Sequence, residues 1–116
     1  MEKQILNISA ALDLVDGDKE LLKILLDTFV TETTFEPAKL SELVASGQKE
    51  EGAKYVQAVK GAGRQLCAER LAAAGQALED VLRGKANGDI AALTATMNSE
   101  YKIAFDAIKK AASSIE

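Results

Sequence analysis

The chain has 116 residues, 47% of them apolar and 28% charged, with a net charge of −4 and a pI of about 4.9. That is one domain, folding without a metal or a disulfide and too apolar for disorder, while the acidic balance argues against nucleic acid as the main partner. No apolar run approaches the ~20 residues of a membrane helix, MEKQILNIS lacks a signal peptide's apolar core, and the single Cys67 excludes an internal disulfide and fits a reducing cytoplasm.

Asn7 before Ile8, Ala11, Leu12 and Val15 predicts a capped short helix that stops at Gly17. Asp18 opens the second helix, with Glu20 in its first turn and an apolar stripe of Leu21, Leu22, Leu25, Phe29 and Val30. Pro37 predicts a kink or break near Thr34 to Glu36, since proline is tolerated only in a helix's first turn. Leu40, Leu43 and Val44 then carry the apolar face to Gly47. A third helix is expected from Gln48 to Leu66, with Ala53, Val56, Val59, Gly63 and Leu66 inward. A fourth is expected from Ala68 to Leu82, with Leu71, Leu78 and Leu82 inward. Arg83 to Gly88 reads as a turn. Asp89 caps the last helix, whose inward stripe is Ile90, Leu93, Met97, Tyr101, Phe105 and Ile108, and Ser113 to Glu116 are expected to fray. Strand signals are absent. Short loops between amphipathic helices predict antiparallel neighbours, hence an all-α, up-and-down four-helix bundle with a short extra N-terminal helix.

The chain contains no histidine, which excludes a His-based triad, a His-ligated zinc site and phosphohistidine chemistry. Residues 52 to 68 hold Lys54, Lys60 and Arg64 and no Asp or Glu, a basic segment in an acidic chain. Helical spacing puts Lys54, Gln57, Lys60, Gly61 and Arg64 on one stripe, read as exposed. A glycine inside a helix costs about 1 kcal/mol relative to alanine. Gly63 faces inward and reads as close helix–helix contact, whereas Gly61 on the polar stripe lets a foreign group approach the backbone. A basic stripe with a notch suits an anion or an acidic partner surface; a solvated helix face with a tolerated glycine gives the same pattern.

VQAVKGAGRQLCAERL, residues 56 to 71, resembles the signature of histidine-phosphotransfer (HPt) domains: histidine, any residue, an aliphatic, lysine, glycine. Val59, Lys60 and Gly61 match the last three positions, and Ala62, Leu66, Leu71 and the pair Leu78-Glu79 fall where the family has small or apolar residues and Leu-Glu. DGDKELLKILLDTFVTETTFEPAKL, residues 16 to 40, resembles the family's second helix with its break near proline, and the turns at Ser46-Gly47-Gln48 and Gly88-Asp89 also correspond. The resemblance runs over roughly residues 8 to 110 and departs at two positions. Gln57 stands where the family has its phosphorylated histidine, and Cys67 stands where glycine is usual.

The resemblance implies an HPt-like module of a bacterial two-component phosphorelay, occupying residues 1 to 116. Its expected partner is a response-regulator receiver domain, with a hybrid histidine kinase as a second candidate. It further implies a cytoplasmic monomer with no cofactor, no metal, and no nucleic-acid or membrane partner; Met1 and the span of the match fit a free-standing domain. The implied docking residues are Lys54, Gln57, Lys60, Gly61 and Arg64, with Lys60 offsetting phosphoryl charge and Gly61 leaving room for the receiver's aspartate. No catalytic residue is expected. A glutamine amide nitrogen is not a nucleophile, so the chain cannot itself carry phosphohistidine.

Alternatives stay open. Position 57 of an active phosphotransfer protein is substituted, or the chain is a plain structural helical bundle. Cys67 near a helix start is a candidate nucleophile, because that position can depress a thiol pKa, but it has no histidine as base and reads better as packing. Glu50-Glu51 and Glu79-Asp80 read as solvated surface, since sequence neighbours do not share a helix face.

Overall fold

Asn7, Asp18 and Asp89 each turn a side-chain oxygen onto the backbone N–H three residues on, at Ala10 (3.0 Å), Leu21 (3.1 Å) and Ala92 (3.2 Å). These are the expected caps, and they start three of the six helices in the computed structural model, which describes residues 4–115. The helices are α1 (Ile8–Leu14), α2 (Lys19–Glu32), α3 (Pro37–Ala45), α4 (Lys49–Gln65), α5 (Glu69–Leu82) and α6 (Ile90–Ser114). No strand occurs among the described residues, and no helix there is long and apolar enough to cross a membrane. Helix α4 packs on α5, α5 on α6 and α6 on α2, while α3 leans on both α4 and α6 and α1 rests on α2. Ser113 and Ser114 lie inside the last helix rather than frayed from it; Glu116 lies outside the described residues.

The break at Pro37 is complete. Proline excludes its predecessor from the helical region, and Glu36 is extended while Pro37 opens α3. All five aromatic side chains of the chain gather around this break. Phe35 is buried, with ring centroids 5.9 Å from Tyr55 and 6.4 Å from Tyr101. Tyr101 also meets Phe29 at 6.2 Å and Phe105 at 6.0 Å. Both tyrosine hydroxyls hold the linker backbone: Tyr101 donates to the Thr33 carbonyl at 2.8 Å, and Tyr55 accepts from the Glu36 N–H at 2.8 Å. Burial raises both phenol pKa values above their usual range.

The core stripe of α2 is Leu22, Leu26 and Phe29, with Leu25 and Val30 half-buried. Leu21, expected inward, is 41% exposed. Spacings of four and three place Leu26 beneath the packing of α6, and Leu21 falls off that line. Met97 and Ile108 are fully buried on α6, while Ile90, Leu93, Tyr101 and Phe105 are half-buried at its margin.

Helices α4 and α5 approach closely because glycine stands on each side. A Cβ on Gly63 would sit 3.0 Å from Leu71 Cδ2, and one on Gly75 would sit 2.9 Å from Lys60 Cβ. The inward role expected of Gly63 holds, and Gly75 adds its counterpart on α5. The junction that follows α4 closes with Ala68 N–H on the Gly63 carbonyl (2.9 Å) and Cys67 N–H on the Arg64 carbonyl (3.1 Å). That double closure needs a left-handed residue, normally glycine, and Cys67 takes it at φ +58°.

Candidate functional site

Helix α4 exposes Lys54, Gln57, Gly61 and Arg64 along one face. Lys60 is not part of that exposed stripe: it is only 8% exposed. Its position explains why. It lies four residues after buried Val56 and three before buried Gly63, on the inward side of the helix. Its stem packs against the bare backbone at Gly75, and its ammonium is met by α5.

The partner is Glu79, itself 7% exposed, so the reading of Glu79-Asp80 as solvated surface fails at Glu79. Glu79 lies on α5's own buried stripe, between Leu78 and Leu82. Lys60 Nζ stands 2.7 Å from Glu79 Oε1 and donates to Gln76 Oε1 at 2.9 Å. Glu79 Oε2 receives Arg83 Nε at 3.0 Å. Arg83 donates from a second nitrogen to Glu50 and from the third to Gln57 Oε1 at 3.2 Å. Gln76 in turn donates to Asp80 at 2.8 Å. Burial alone would raise the Glu79 pKa. The hydrogen bonds and charges of Lys60 and Arg83 outweigh it and hold the carboxyl below its ordinary value.

The segment that reads as basic is therefore neutralised in space. Lys54 faces Glu51 at 3.4 Å on the surface, and the other cations near Gln57 face Glu79 and Glu50. Arg64, two helical turns beyond Gln57, makes no ion pair among the described residues.

Gly61 meets nothing within 4 Å of the position a Cβ would take. Its lack of a side chain serves no contact within this chain. Helix α5, with Arg64 and Cys67, also forms an open groove of about 620 Å³ along Glu69, Ala72, Ala73, Gln76, Ala77 and Asp80, which no sequence motif signals. The residue-level signal is in Ala73 and Ala77, small residues facing away from the buried line of Leu71, Leu78 and Leu82.

Cys67 opens onto this groove, and burial first, and the charge of Glu69 second, push its thiol pKa up. The depression expected at a helix start is therefore not seen: Cys67 precedes the Ala68 cap of α5, and burial and Glu69 act in the opposite direction. Gln57 offers a carbonyl already engaged by Arg83, and an amide nitrogen whose lone pair is delocalised. Among the described residues, no group of three or more Cys, Asp or Glu side chains is placed to hold a metal ion.

No family model, curated protein or solved structure matches this chain.

Proposed function

We propose that this chain is an HPt-like signalling module of a bacterial two-component phosphorelay, which docks receiver domains on the α4–α5 face and takes no phosphoryl group. On this reading the helices α2 with α3, α4, α5 and α6 form the family's up-and-down four-helix bundle, with α1 as the short addition. The observation that carries the reading is Gly61. A mid-helix glycine costs about 1 kcal/mol, and here a Cβ would meet only open space, so no packing within the chain calls for the missing side chain. A partner's close approach accounts for that cost, next to the exposed residue that stands in the phosphoacceptor position. Gln57, Gly61, Lys54 and Arg64 supply the contact surface together with the alanine groove of α5. Lys60 supports that surface from beneath, through Glu79 and Gln76.

Gly61→Arg tests this. The side chain enters open space, so the fold is expected to survive with an unchanged helical circular dichroism spectrum. Receiver binding, expected in the micromolar range of small transient interfaces, should weaken by roughly tenfold or more, as for a central interface residue. An unchanged affinity would move the docking surface elsewhere.

A further inference from the structure

Arg83 reaches back from the end of α5 and holds the side chain at position 57. Its guanidinium nitrogens each meet an acceptor: Nε donates to Glu79 Oε2 at 3.0 Å, one terminal nitrogen to Glu50 Oε1, and the other to Gln57 Oε1 at 3.2 Å. Glu79 is buried and is held in turn by Lys60 at 2.7 Å. The guanidinium is thus anchored from beneath, and the Arg83 side chain is only 20% exposed. A guanidinium carries donors and no acceptor. The Gln57 amide can therefore meet it only with its carbonyl, because the opposite orientation aims N–H at N–H. Both amide protons are left over, on an exposed residue one helical turn before the open position at Gly61.

We infer that Arg83 is a positioning residue that turns Gln57 from a two-faced amide into an outward donor, and that this donor lets the α4–α5 face select an acidic oxygen on its partner. The orienting half stands on this chain alone; the selecting half rests on the docking function proposed above. An unheld glutamine turns about its broad terminal torsion and offers oxygen or nitrogen alike, so it separates an acidic surface from a basic one poorly. Held by its oxygen, it donates to carboxylate or phosphoryl oxygens and has no free acceptor for an ammonium or a guanidinium. Fixing a long side chain before the partner arrives also removes part of the ordering cost of binding. A receiver offers the acidic oxygen in two forms, a free aspartate carboxylate or a phosphoryl group upon it.

Two measurements test the two halves separately. The first follows the side-chain amide resonances of the nitrogen-15-labelled chain. Gln57 should show a heteronuclear NOE near that of its helix backbone, well above that of exposed Gln48, whose side chain makes no cap bond. Arg83→Met keeps the aliphatic stem and should lower the Gln57 value to that of Gln48. Arg83→Lys should not restore it, since lysine lacks the fork that meets Glu79 and Gln57 together. A Gln57 amide as mobile as Gln48 in the unmodified chain overturns the inference, and so does one that stays ordered in a folded Arg83→Met. Should Arg83→Met unfold, the comparison with Gln48 in the unmodified chain decides.

The second measures receiver affinity. Gln57→Met keeps the length and removes the donors, and should weaken binding roughly tenfold, as for a hydrogen bond to a charged group. Gln57→Glu keeps the hold on Arg83 but presents an acceptor oxygen, and should weaken it further through like-charge contact. The Gln57→Met loss is then compared across the free receiver, its form with beryllofluoride (a mimic of the phosphorylated aspartate) and a receiver whose aspartate is replaced by alanine. A loss with the free receiver assigns the oxygen to the carboxylate; a loss with the beryllofluoride form alone assigns it to the phosphoryl group. No loss in any form, or an equal loss with the alanine receiver, overturns the selectivity. Failure of every receiver to bind the unmodified chain counts against the docking function instead, and the amide resonances then decide the role of Arg83 by themselves.

Discussion

The linker between α2 and α3 and the face around Gln57 are both tied across helices by polar side chains, and they use opposite chemistry. At the linker, two tyrosine hydroxyls hold backbone groups of Thr33 and Glu36, within a cluster of five rings that the Lys39 ammonium meets only at its edge, 5.0 Å from the Tyr55 ring centroid. At the Gln57 face, charged side chains hold one another: Lys60, Glu79, Arg83 and Glu50 in series, with Gln57 at the outer end. Aromatic burial fixes a shape and asks nothing of solution conditions. A charged chain of contacts also fixes a shape, but one whose strength depends on pH. The linker therefore serves the fold, and the Gln57 face is the one to which the proposed docking adds a second role.

The largest expected effect breaks the charged series. Glu79→Leu leaves the Lys60 ammonium buried without its carboxylate, and should cost about 3–5 kcal/mol in chemical denaturation. The linker's nearest equivalent is Phe35→Ala, expected to cost about 3–5 kcal/mol through the cavity it leaves beside Tyr55 and Tyr101. The two separate by pH. Glu79's carboxyl is held below its ordinary value of 4.5 in the folded chain. Its ion pairs therefore stabilise the fold above that value, and the contribution is lost as pH falls through the lower folded pKa. Denaturation midpoints measured from pH 6 down to pH 3 should fall less steeply in Glu79→Gln than in the unmodified chain. Phe35→Ala should keep the slope and shift the whole curve downward.

A smaller effect probes the linker's hydrogen bonds. Tyr101→Phe keeps the ring and removes the bond to Thr33, at an expected cost of about 1 kcal/mol. Two residues of α4 sharpen the contrast between surface and core. Gly61→Ala should stabilise by up to about 1 kcal/mol, while Gly63→Ala should destabilise by about 1–3 kcal/mol, because its Cβ arrives 3.0 Å from Leu71. The smallest effect is at the α4–α5 junction. Cys67→Gly removes left-handed strain on the order of 1 kcal/mol, partly offset by lost packing, so the thermal midpoint should rise by a few degrees.

Much of this arrangement is legible in the residues. Asn7, Asp18 and Asp89 announce three helix starts, Pro37 announces the break, and Gly63 announces a close contact. The charge of Lys60 points to solvent, while its spacing from Val56 and Gly63 puts it on the inward side. Glu79 carries the same contradiction on α5, between Leu78 and Leu82. A lysine and a glutamate, each on the apolar stripe of adjacent helices, together signal a buried pair; either alone reads as an accident. Leu26 and Leu21 were exchanged because a leucine-rich helix offers several stripes, and only the packing of α6 selects one. Arg83 was legible only as a turn residue. Its reach back to Gln57 and Glu50 depends on how α5 is laid against α4, which no local pattern encodes.

The most direct test maps the partner's footprint. Backbone amide shifts of the labelled chain, titrated with the receiver domains of a two-component organism, should concentrate at Lys54 and residues 57 to 64 of α4 and along the groove from Ala72 to Ala77 on α5, and should leave Phe29, Phe35, Tyr101 and Phe105 of the aromatic cluster unmoved. Shifts confined to the linker or to α6, or none with any receiver, would contradict a docking face built around Gln57 and Gly61.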